Sequence, residues 1–227
     1  MKILAHDPRY KFNGREDSKS DAPVVREIWC ENVYEVYDGD LSDTGIVVDL
    51  GANIGAFSLY AAALGAKKVI AVEPEKNNLR LLRQNIDDHK DITPDCEFII
   101  DENGVGGYNS NGYISDEHGD SIVTYQHAAD AQVARNRQDQ EIKIITLESL
   151  FKRHDLEFID ILKIDIEGRE GEVLINAPES VMNLCRYITL EYDQHATDLG
   201  AIVEKLTQTH QVKVVGKAGG MIFAKRY

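Results

Sequence analysis

The chain has 227 residues, 43% of them hydrophobic and 28% charged, and a formal net charge of -14. This length can bury a full hydrophobic core, as one large domain or two small ones. The acidic balance disfavours nucleic acids and anionic membrane surfaces as partners, because both are bound by cationic side chains. The three cysteines, Cys30, Cys96 and Cys185, are far apart, which argues against a disulfide framework and against metal-ligand spacing.

The amino terminus and the hydropathy pattern predict a cytoplasmic protein. The first apolar run, Ile3 to Ala5, is too short for the core of a signal peptide, and His6 and Asp7 follow it directly. No stretch approaches the length of a membrane span. We therefore expect no membrane insertion.

The segments before residue 45 predict an N-terminal arm (1–44) packed on a single domain (45–227). The polar segment Asn13–Ala22 predicts a loop or a loosely held arm. Val24–Tyr37 mixes β-branched and aromatic residues, so both a helix and a strand remain open there.

From Gly45 onward, short apolar runs alternate with amphipathic segments, which favours a doubly wound α/β fold with a mostly parallel sheet. The predicted strands are Ile46–Leu50, Lys68–Glu73, Phe98–Ile100, Ile159–Ile166 and Arg186–Tyr192, then a hairpin of Val212–Val215 and Met221–Ala224. The predicted helices include one capped by Asn53 and stopped at Gly65, one opened by Pro74 that buries Leu79, Leu82 and Ile86, and one over Thr197–Thr209.

An insertion at 103–140 interrupts this alternation with a Gly-, Asn-, Ser-, Asp- and Gln-rich stretch. It contains two β-like pieces, Tyr113–Ser115 and Ile122–Tyr125. Long irregular segments are usually functional, which favours a cap over a ligand. A surface loop without such a role remains the alternative. Its ring-bearing side chains are Tyr108, Tyr113, His118, Tyr125 and His127. Beyond it, Ile142–Ile145 predicts an extra strand and Leu147–Phe151 a short helix.

The first candidate site is the run Asp49-Leu50-Gly51-Ala52-Asn53-Ile54-Gly55, where a strand turns into its helix. Ligands of doubly wound sheets bind at such turns. Gly51 permits close backbone approach, and Gly55 permits close packing of the helix. Glu73 ends the next strand, where a carboxylate can accept hydrogen bonds from both hydroxyls of a ribose.

This arrangement suits either a dinucleotide or S-adenosylmethionine, and the details favour the second. The dinucleotide fingerprint has glycine where this chain has Asn53 and Ala56. A side chain at position 53 would crowd a pyrophosphate, whereas Asp49 suits the sulfonium and ammonium groups of S-adenosylmethionine. An NAD(P)-dependent oxidoreductase remains the alternative enzyme class. A tight strand-to-helix turn that binds no ligand remains the alternative explanation of the glycines.

The second candidate site is the run Leu162-Lys163-Ile164-Asp165-Ile166-Glu167-Gly168. Strand side chains alternate, so Lys163, Asp165 and Glu167 are predicted to share one face. Three charges there are costly unless they pair with one another or meet solvent in a cleft. This pattern is compatible with two interpretations: a structural cluster whose charges neutralise one another, and a catalytic site.

Together these motifs resemble the FkbM family of methyltransferases. The resemblance rests on Val48–Gly55, Val72-Glu73-Pro74, Thr146–Leu150 and Leu162–Glu170. It implies a Rossmann-like class I methyltransferase fold, with a mostly parallel seven-stranded sheet and a C-terminal antiparallel strand. It also implies S-adenosylmethionine as methyl donor and a hydroxyl oxygen as acceptor.

On this reading, the adenosine lies across the first turn with its ribose on Glu73, and Asn103 borders the adenine. The candidate cofactor-binding residues are Asp49, Gly51, Ala52, Asn53, Gly55, Glu73, Pro74, Asn103 and Asp165. The candidate catalytic residues are Lys163, Asp165, Glu167, Glu191 and His195. Asp165 or Glu167 is expected to position or deprotonate the acceptor, with Lys163 setting their protonation and His195 as an alternative base.

Three alternatives remain open at this stage. Asp165, Glu167, Glu191 and His195 offer oxygen and nitrogen ligands for a divalent metal, although we expect no metal. A binding module that kept the fold and lost the chemistry is the rival outside the enzymes. The acceptor can be a small molecule, a sugar or a lipid-linked intermediate, and a homo-oligomer is compatible with the sequence.

Overall fold

The structure is a computed structural model that describes residues 1–16, 18–43, 45–117, 120–125, 139–192, 198–216 and 219–227. It comprises two compact units. The first contains Met1–Glu102 and Ile159–Lys163, and the second contains Asn103–Phe158 and Ile164–Tyr227. Among the described residues, no helix has both the length and the apolar character needed to cross a membrane.

The N-terminal segment of the first unit is more ordered than the sequence predicts. Its elements are an antiparallel pair of strands, β1 (Lys2–Leu4) and β2 (Lys11–Asn13), a helix α1 (Asp21–Arg26), a π-helical turn (Glu27–Glu31) and a 3₁₀ turn (Asp38–Asp40). The buried carboxylate of Asp21 accepts a hydrogen bond from the backbone N–H of Arg15 (2.7 Å) and pairs with its guanidinium. Residues 14–16 and 18–20 are neither helix nor strand, in agreement with the predicted loop, although Asn13 belongs to β2 and Asp21 and Ala22 belong to α1. The open segment Val24–Tyr37 begins as helix.

The rest of the first unit alternates strands and helices as predicted. In chain order they are β3 (Ile46–Leu50), α2 (Ala56–Ala63), β4 (Lys68–Val72), α3 (Lys76–Asp88) and β5 (Glu97–Asp101). The three strands pair in parallel. The predicted face of α3, formed by Leu79, Leu82 and Ile86, is buried against Ala52 and Ala71.

Two predicted helix starts need correction. Asn53 does not cap α2, because Gly55 occupies the N-cap position and Asn53 lies in the left-handed region at φ +50°. Pro74 does not open α3, which begins after Glu75. The Glu75 carboxylate accepts a hydrogen bond from the backbone N–H of Asn78 (2.7 Å) and so satisfies a free N–H at that helix end.

The second unit begins with a separate four-stranded sheet, in the order β6-β9-β7-β8. These strands are β6 (Gly104–Val105), β7 (Ser110–Glu117), β8 (Asp120–Tyr125) and β9 (Gln140–Ile145). Both predicted β-like pieces and the predicted strand at Ile142–Ile145 are thus confirmed. The helix α4 (Leu147–Arg153) follows, capped by Thr146, whose hydroxyl oxygen accepts a hydrogen bond from the N–H of Ser149 (3.1 Å).

The remaining elements complete a seven-stranded main sheet. They are β10 (Ile159–Ile164), α5 (Glu170–Asn176), α6 (Glu179–Met182), β11 (Cys185–Tyr192), α7 (Leu199–Thr207), β12 (His210–Gly216) and β13 (Gly220–Arg226). The strand order is β12-β13-β11-β10-β3-β4-β5, and β13 is antiparallel to both neighbours. The predicted fold, a mostly parallel sheet with a C-terminal antiparallel strand, is confirmed.

One strand boundary corrects the site prediction. β10 ends at Ile164 and not at Ile166, so Asp165 and Glu167 lie in the turn that follows the strand. Glu167 has φ +57° and Gly168 has φ +91°, which is incompatible with continued strand. Lys163, Asp165 and Glu167 therefore do not share a strand face.

Candidate active site

The turn from β3 into α2 is held tightly against the end of β4. Gly51 and Ala52 both donate backbone hydrogen bonds to the carbonyl oxygen of Val72, each at 3.0 Å. Gly51 (φ +74°) and Gly55 (φ +89°) adopt left-handed conformations that favour glycine. A Cβ on Gly55 would lie 2.7 Å from Leu82 Cδ1, so this glycine also lets the turn approach α3.

Glu73, directly after β4, faces this turn from a buried position and is 5% exposed. One carboxylate oxygen accepts a hydrogen bond from the backbone N–H of Asn53 and the other accepts one from Glu75, both at 2.8 Å. Burial raises the pKa of Glu73 to about 7, against the lowering effect of these hydrogen bonds. The side-chain amide of Asn78 also hydrogen-bonds to this carboxylate, so of its about four acceptor positions one remains for a hydroxyl donor.

Two more acceptors belong to Asn53 and Asn78, which both donate hydrogen bonds to this carboxylate. The side-chain oxygens of Asn53 and Asn78 are buried and have no hydrogen-bond partner among the described residues. With Glu73 they form a set of oxygen acceptors, which suits a ligand that presents hydroxyl, amino or ammonium donors. A diphosphate presents only acceptors, so these residues fit S-adenosylmethionine better than a dinucleotide.

Asp49 and Lys163 lie on neighbouring strands beneath the turn, with side chains that are 0% and 3% exposed. Asp49 Oδ2 accepts a hydrogen bond from the Ser58 hydroxyl (2.6 Å), and Asp49 Oδ1 lies 3.1 Å from Lys163 Nζ. The second contact is an ion pair, because its angle falls outside hydrogen-bond geometry. Asp49, predicted to face a cationic ligand, is thus paired inside the protein.

The turn after β10 is organised by Glu170, for which the sequence pattern predicts no separate role. Glu170 is 2% exposed, and its Oε1 accepts hydrogen bonds from the backbone N–H groups of Ile166 (2.9 Å) and Gly168 (3.1 Å). Its Oε2 is buried without a hydrogen-bond partner in the described part of the chain, and burial raises the pKa of this carboxyl. Its position two residues after a glycine, at the start of a helix, is the signal that could have identified it.

The other predicted site residues differ in exposure. Within the turn, Asp165 is half-buried and Glu167 is exposed; on β11, Glu191 is exposed and the neighbouring Tyr192 is buried. Asn103 and Pro74 are half-buried, and His195 lies outside the described residues, as do His118 and His127. Within the described ranges, no group of three or more His, Cys, Asp or Glu side chains could hold a metal ion.

Residues 49–213 match the Methyltransferase FkbM domain, a span that includes both motifs. The chain belongs to this family. The match decides between the open enzyme classes in favour of a methyltransferase.

Three curated proteins are similar to this chain. The FkbM-family chain is 26% identical over 216 residues to the 31-O-demethyl-FK506 methyltransferase FkbM of Streptomyces tacrolimicus, covering 86% of this chain and 82% of that protein. It is 24% identical over 198 residues to the methyltransferase sdnD of Sordaria araneosa, covering 77% and 76%. It is also 26% identical to AmbE, an antimetabolite synthetase of Pseudomonas aeruginosa, but spans only 9% of the length of that protein.

Solved structures support the fold. The methyltransferase FkbM of Methylobacillus flagellatus aligns with a TM-score of 0.52 at 17% identity, over 86% of this chain and 49% of that one. The Streptococcus mutans protein SMU.1697c, solved in complex with SAH (S-adenosylhomocysteine), aligns with a TM-score of 0.52 at 10% identity, over 87% and 97%. At these identities the likeness establishes the fold alone.

Proposed function

We propose that this FkbM-family chain transfers a methyl group from S-adenosylmethionine to a hydroxyl oxygen of a small-molecule, sugar or lipid-linked acceptor. The observation that carries the proposal is the buried Glu73 carboxylate, which accepts hydrogen bonds from the N–H groups of Asn53 and Glu75. Asn53 lies in the turn from β3 into α2, Gly51 to Gly55, called the glycine turn below. The remaining acceptor position of the Glu73 carboxylate suits a hydroxyl of a ribose. The unpartnered side-chain oxygens of Asn53 and Asn78 suit further donors of the same ligand.

The chain's own residues would bind and orient the reactants. When bound, S-adenosylmethionine supplies a methyl group already activated by a positively charged sulfur. The acceptor hydroxyl oxygen bonds to the methyl carbon as the carbon–sulfur bond breaks and the sulfur keeps the electron pair. Holding the oxygen in line with that bond is worth several orders of magnitude in rate.

The acceptor hydroxyl must also lose its proton, and the turn after β10 carries two carboxylates for this purpose. Asp165 or Glu167 takes the proton or orients the hydroxyl, as in general base catalysis. Glu170 holds this turn in place through the N–H groups of Ile166 and Gly168. His195 remains the alternative base.

Oxygen as the accepting atom is supported by the Streptomyces tacrolimicus relative, whose name, 31-O-demethyl-FK506 methyltransferase, specifies an O-demethyl substrate. The net charge of -14 adds support for an acceptor other than nucleic acid, because phosphate-rich partners would be repelled. The cytoplasmic location remains a prediction.

Calorimetry with SAH and with NADH separates this function from the oxidoreductase alternative. We expect SAH to bind and NADH not to bind. Above pH 7, where the Glu73 carboxyl is ionised, Glu73→Gln should weaken SAH binding by about tenfold or more, since it removes a charged acceptor of hydroxyl donors. Glu97→Gln is the matched control, because Glu97 lies at the other end of the neighbouring strand and its side chain is 60% exposed. NADH binding in place of SAH would overturn the proposal.

Transfer itself is measured with isotopically labelled methyl donor and a panel of hydroxyl-bearing sugars, lipid-linked intermediates and small metabolites. Label should appear in ether-linked product. SAH binding with no transfer to any acceptor would favour the binding-module alternative, whereas label on nitrogen or carbon would overturn the oxygen assignment alone.

A further inference from the structure

The first two peptide groups of the glycine turn are fixed at both ends. On the N–H side, Gly51 and Ala52 donate to the carbonyl oxygen of Val72. On the carbonyl side, Lys163 Nζ donates to the oxygens of Leu50 (3.2 Å) and Gly51 (2.8 Å). Each peptide plane therefore has its orientation set by one backbone carbonyl of β4 and one buried ammonium from β10.

The same ammonium also balances a buried charge. Lys163 Nζ lies 3.1 Å from Asp49 Oδ1, and both side chains are removed from solvent. The ammonium therefore donates hydrogen bonds to both carbonyl oxygens while its charge pairs with the carboxylate. Its charge also lies 5.5 Å from the centre of the Tyr34 ring, a distance at which the ring face is attractive to a cation.

We propose that Lys163 is a positioning residue that fixes the peptide planes of Leu50–Gly51 and Gly51–Ala52 and so shapes the cofactor site. Asp49 is its counter-ion and does not bind the ammonium group of the cofactor. This inference rests on the proposed function for its ligand. It assigns both residues roles different from those that the sequence pattern predicts, namely catalysis for Lys163 and cofactor contact for Asp49.

The proposal separates two roles that a single variant would confuse. If Lys163 only cancels the charge of Asp49, neutralising both residues restores every property of the protein. If Lys163 positions the turn, neutralising both restores stability but not cofactor binding, because the Leu50 and Gly51 carbonyls have lost their donor. The decisive variant is therefore Asp49→Asn combined with Lys163→Met, compared with Lys163→Met alone.

Three measurements are made on the full chain: the melting temperature, the SAH dissociation constant, and hydrogen exchange of the amides of Gly51 to Gly55. We expect Lys163→Met to lower the melting temperature, because it leaves Asp49 buried without its partner. The double variant should regain most of that loss, yet bind SAH about tenfold more weakly than wild type and exchange its turn amides faster. Lys152→Met is the matched control, since Lys152 is exposed and pairs with Glu148 on the surface; it should match wild type in all three.

Two results would overturn the proposal: a double variant that binds SAH as tightly as wild type, or turn amides that exchange at the wild-type rate. Where Lys163→Met alone does not fold, the double variant still decides the question. Failure of the proposed function appears differently, as wild-type protein that does not bind SAH. The exchange rates of the turn amides then still test the positioning role.

Discussion

The side-chain amide of Asn85 donates a hydrogen bond to the carbonyl oxygen of Ile54, with 2.8 Å between the nitrogen and the oxygen. The same amide donates to the carbonyl oxygen of Asn13 (3.1 Å), and its oxygen accepts from the backbone N–H of Asn13 (2.6 Å). Asn85 thus joins the N-terminal strand β2, the helix α3 and the glycine turn. The indole of Trp29 adds a second link, because it donates to the carbonyl oxygen of Ala56 at 3.0 Å.

Replacing Asn85 by alanine should therefore destabilise the fold and also make the glycine turn less ordered. Several buried polar groups lose their partners, which should lower the free energy of unfolding by about 3 kcal/mol. Urea unfolding measures this change, and SAH calorimetry measures the expected weaker binding. Asn77→Ala is the control on the same helix, because Asn77 is exposed. Equal stabilities of the two variants would contradict the linking role of Asn85.

The pH dependence of stability should reveal the buried carboxyl of Glu73. Its pKa is raised from 4.5 to about 7 in the folded protein, so the folded state holds this proton more tightly than the unfolded state. The contribution of Glu73 to stability is complete below about pH 4.5 and is lost as the pH rises through about 7. Relative to Glu73→Gln, wild type should lose about 3 kcal/mol between pH 4 and pH 8.

This prediction is checked by urea unfolding of wild type and Glu73→Gln across that pH range. The quantity compared is the difference in free energy of unfolding between the two proteins at each pH. Effects of the substitution that do not depend on pH cancel when this difference is followed from pH 4 to pH 8. Glu97→Gln is measured alongside as the surface control, because the Glu97 side chain is 60% exposed. A difference between wild type and Glu73→Gln that stays flat from pH 4 to pH 8 would show that Glu73 has an ordinary pKa.

The parallel strands were predictable because most of their residues, on both faces, are apolar. Ile46–Leu50 and Lys68–Val72 carry Val, Ile, Leu and Ala side chains that are largely buried, as expected for central strands covered on both sides. The N-terminal segment was not predictable in this way. Its order depends on single polar contacts, such as Asn13 with Asn85, that leave no periodic pattern in the sequence.

The local sequence pattern predicted the positions of the glycine turn and of Glu73. It did not predict which residue pairs with Lys163. Alternation grouped Lys163 with Asp165 and Glu167, because nothing in that run shows where the strand ends. The backbone instead leaves β10 at Ile164. Asp49, which pairs with Lys163, lies far away in sequence, and only the pairing of strands in the sheet brings the two together.

Glu170→Ala should impair methyl transfer more than cofactor binding. Glu170 is the acceptor for the N–H groups of Ile166 and Gly168, so its removal frees the turn that carries Asp165 and Glu167. We expect a loss of about 1–3 kcal/mol in stability from the unpaired N–H groups. Transfer should fall at least tenfold while SAH affinity stays within about twofold. Glu170→Gln, which keeps one acceptor oxygen, should recover part of the transfer rate; equal rates for the two variants would argue against the anchoring role.

Gly55→Ala should distort the packing of the turn on α3. The added Cβ would lie 2.7 Å from Leu82 Cδ1, and the residue would keep a φ of +89° that disfavours side chains. The expected cost is about 1–3 kcal/mol of stability, together with weaker SAH binding. Gly39→Ala provides the control, because a Cβ there meets no atom within 4 Å. Thermal unfolding that ranks the two variants equally would contradict the packing argument.

Glu167→Gln and Asp165→Asn should separate proton removal from cofactor binding. Both residues follow β10 directly, in the turn anchored by Glu170, and loss of a general base typically slows transfer about 100-fold or more. The residue that takes the proton should lose transfer while SAH affinity is unchanged. A residue that instead contacts the cofactor should lose SAH affinity as well. Glu157→Gln, an exposed carboxylate in the same unit, is the control. Full transfer by both variants would remove the two carboxylates from the proton step and direct the same test to His195.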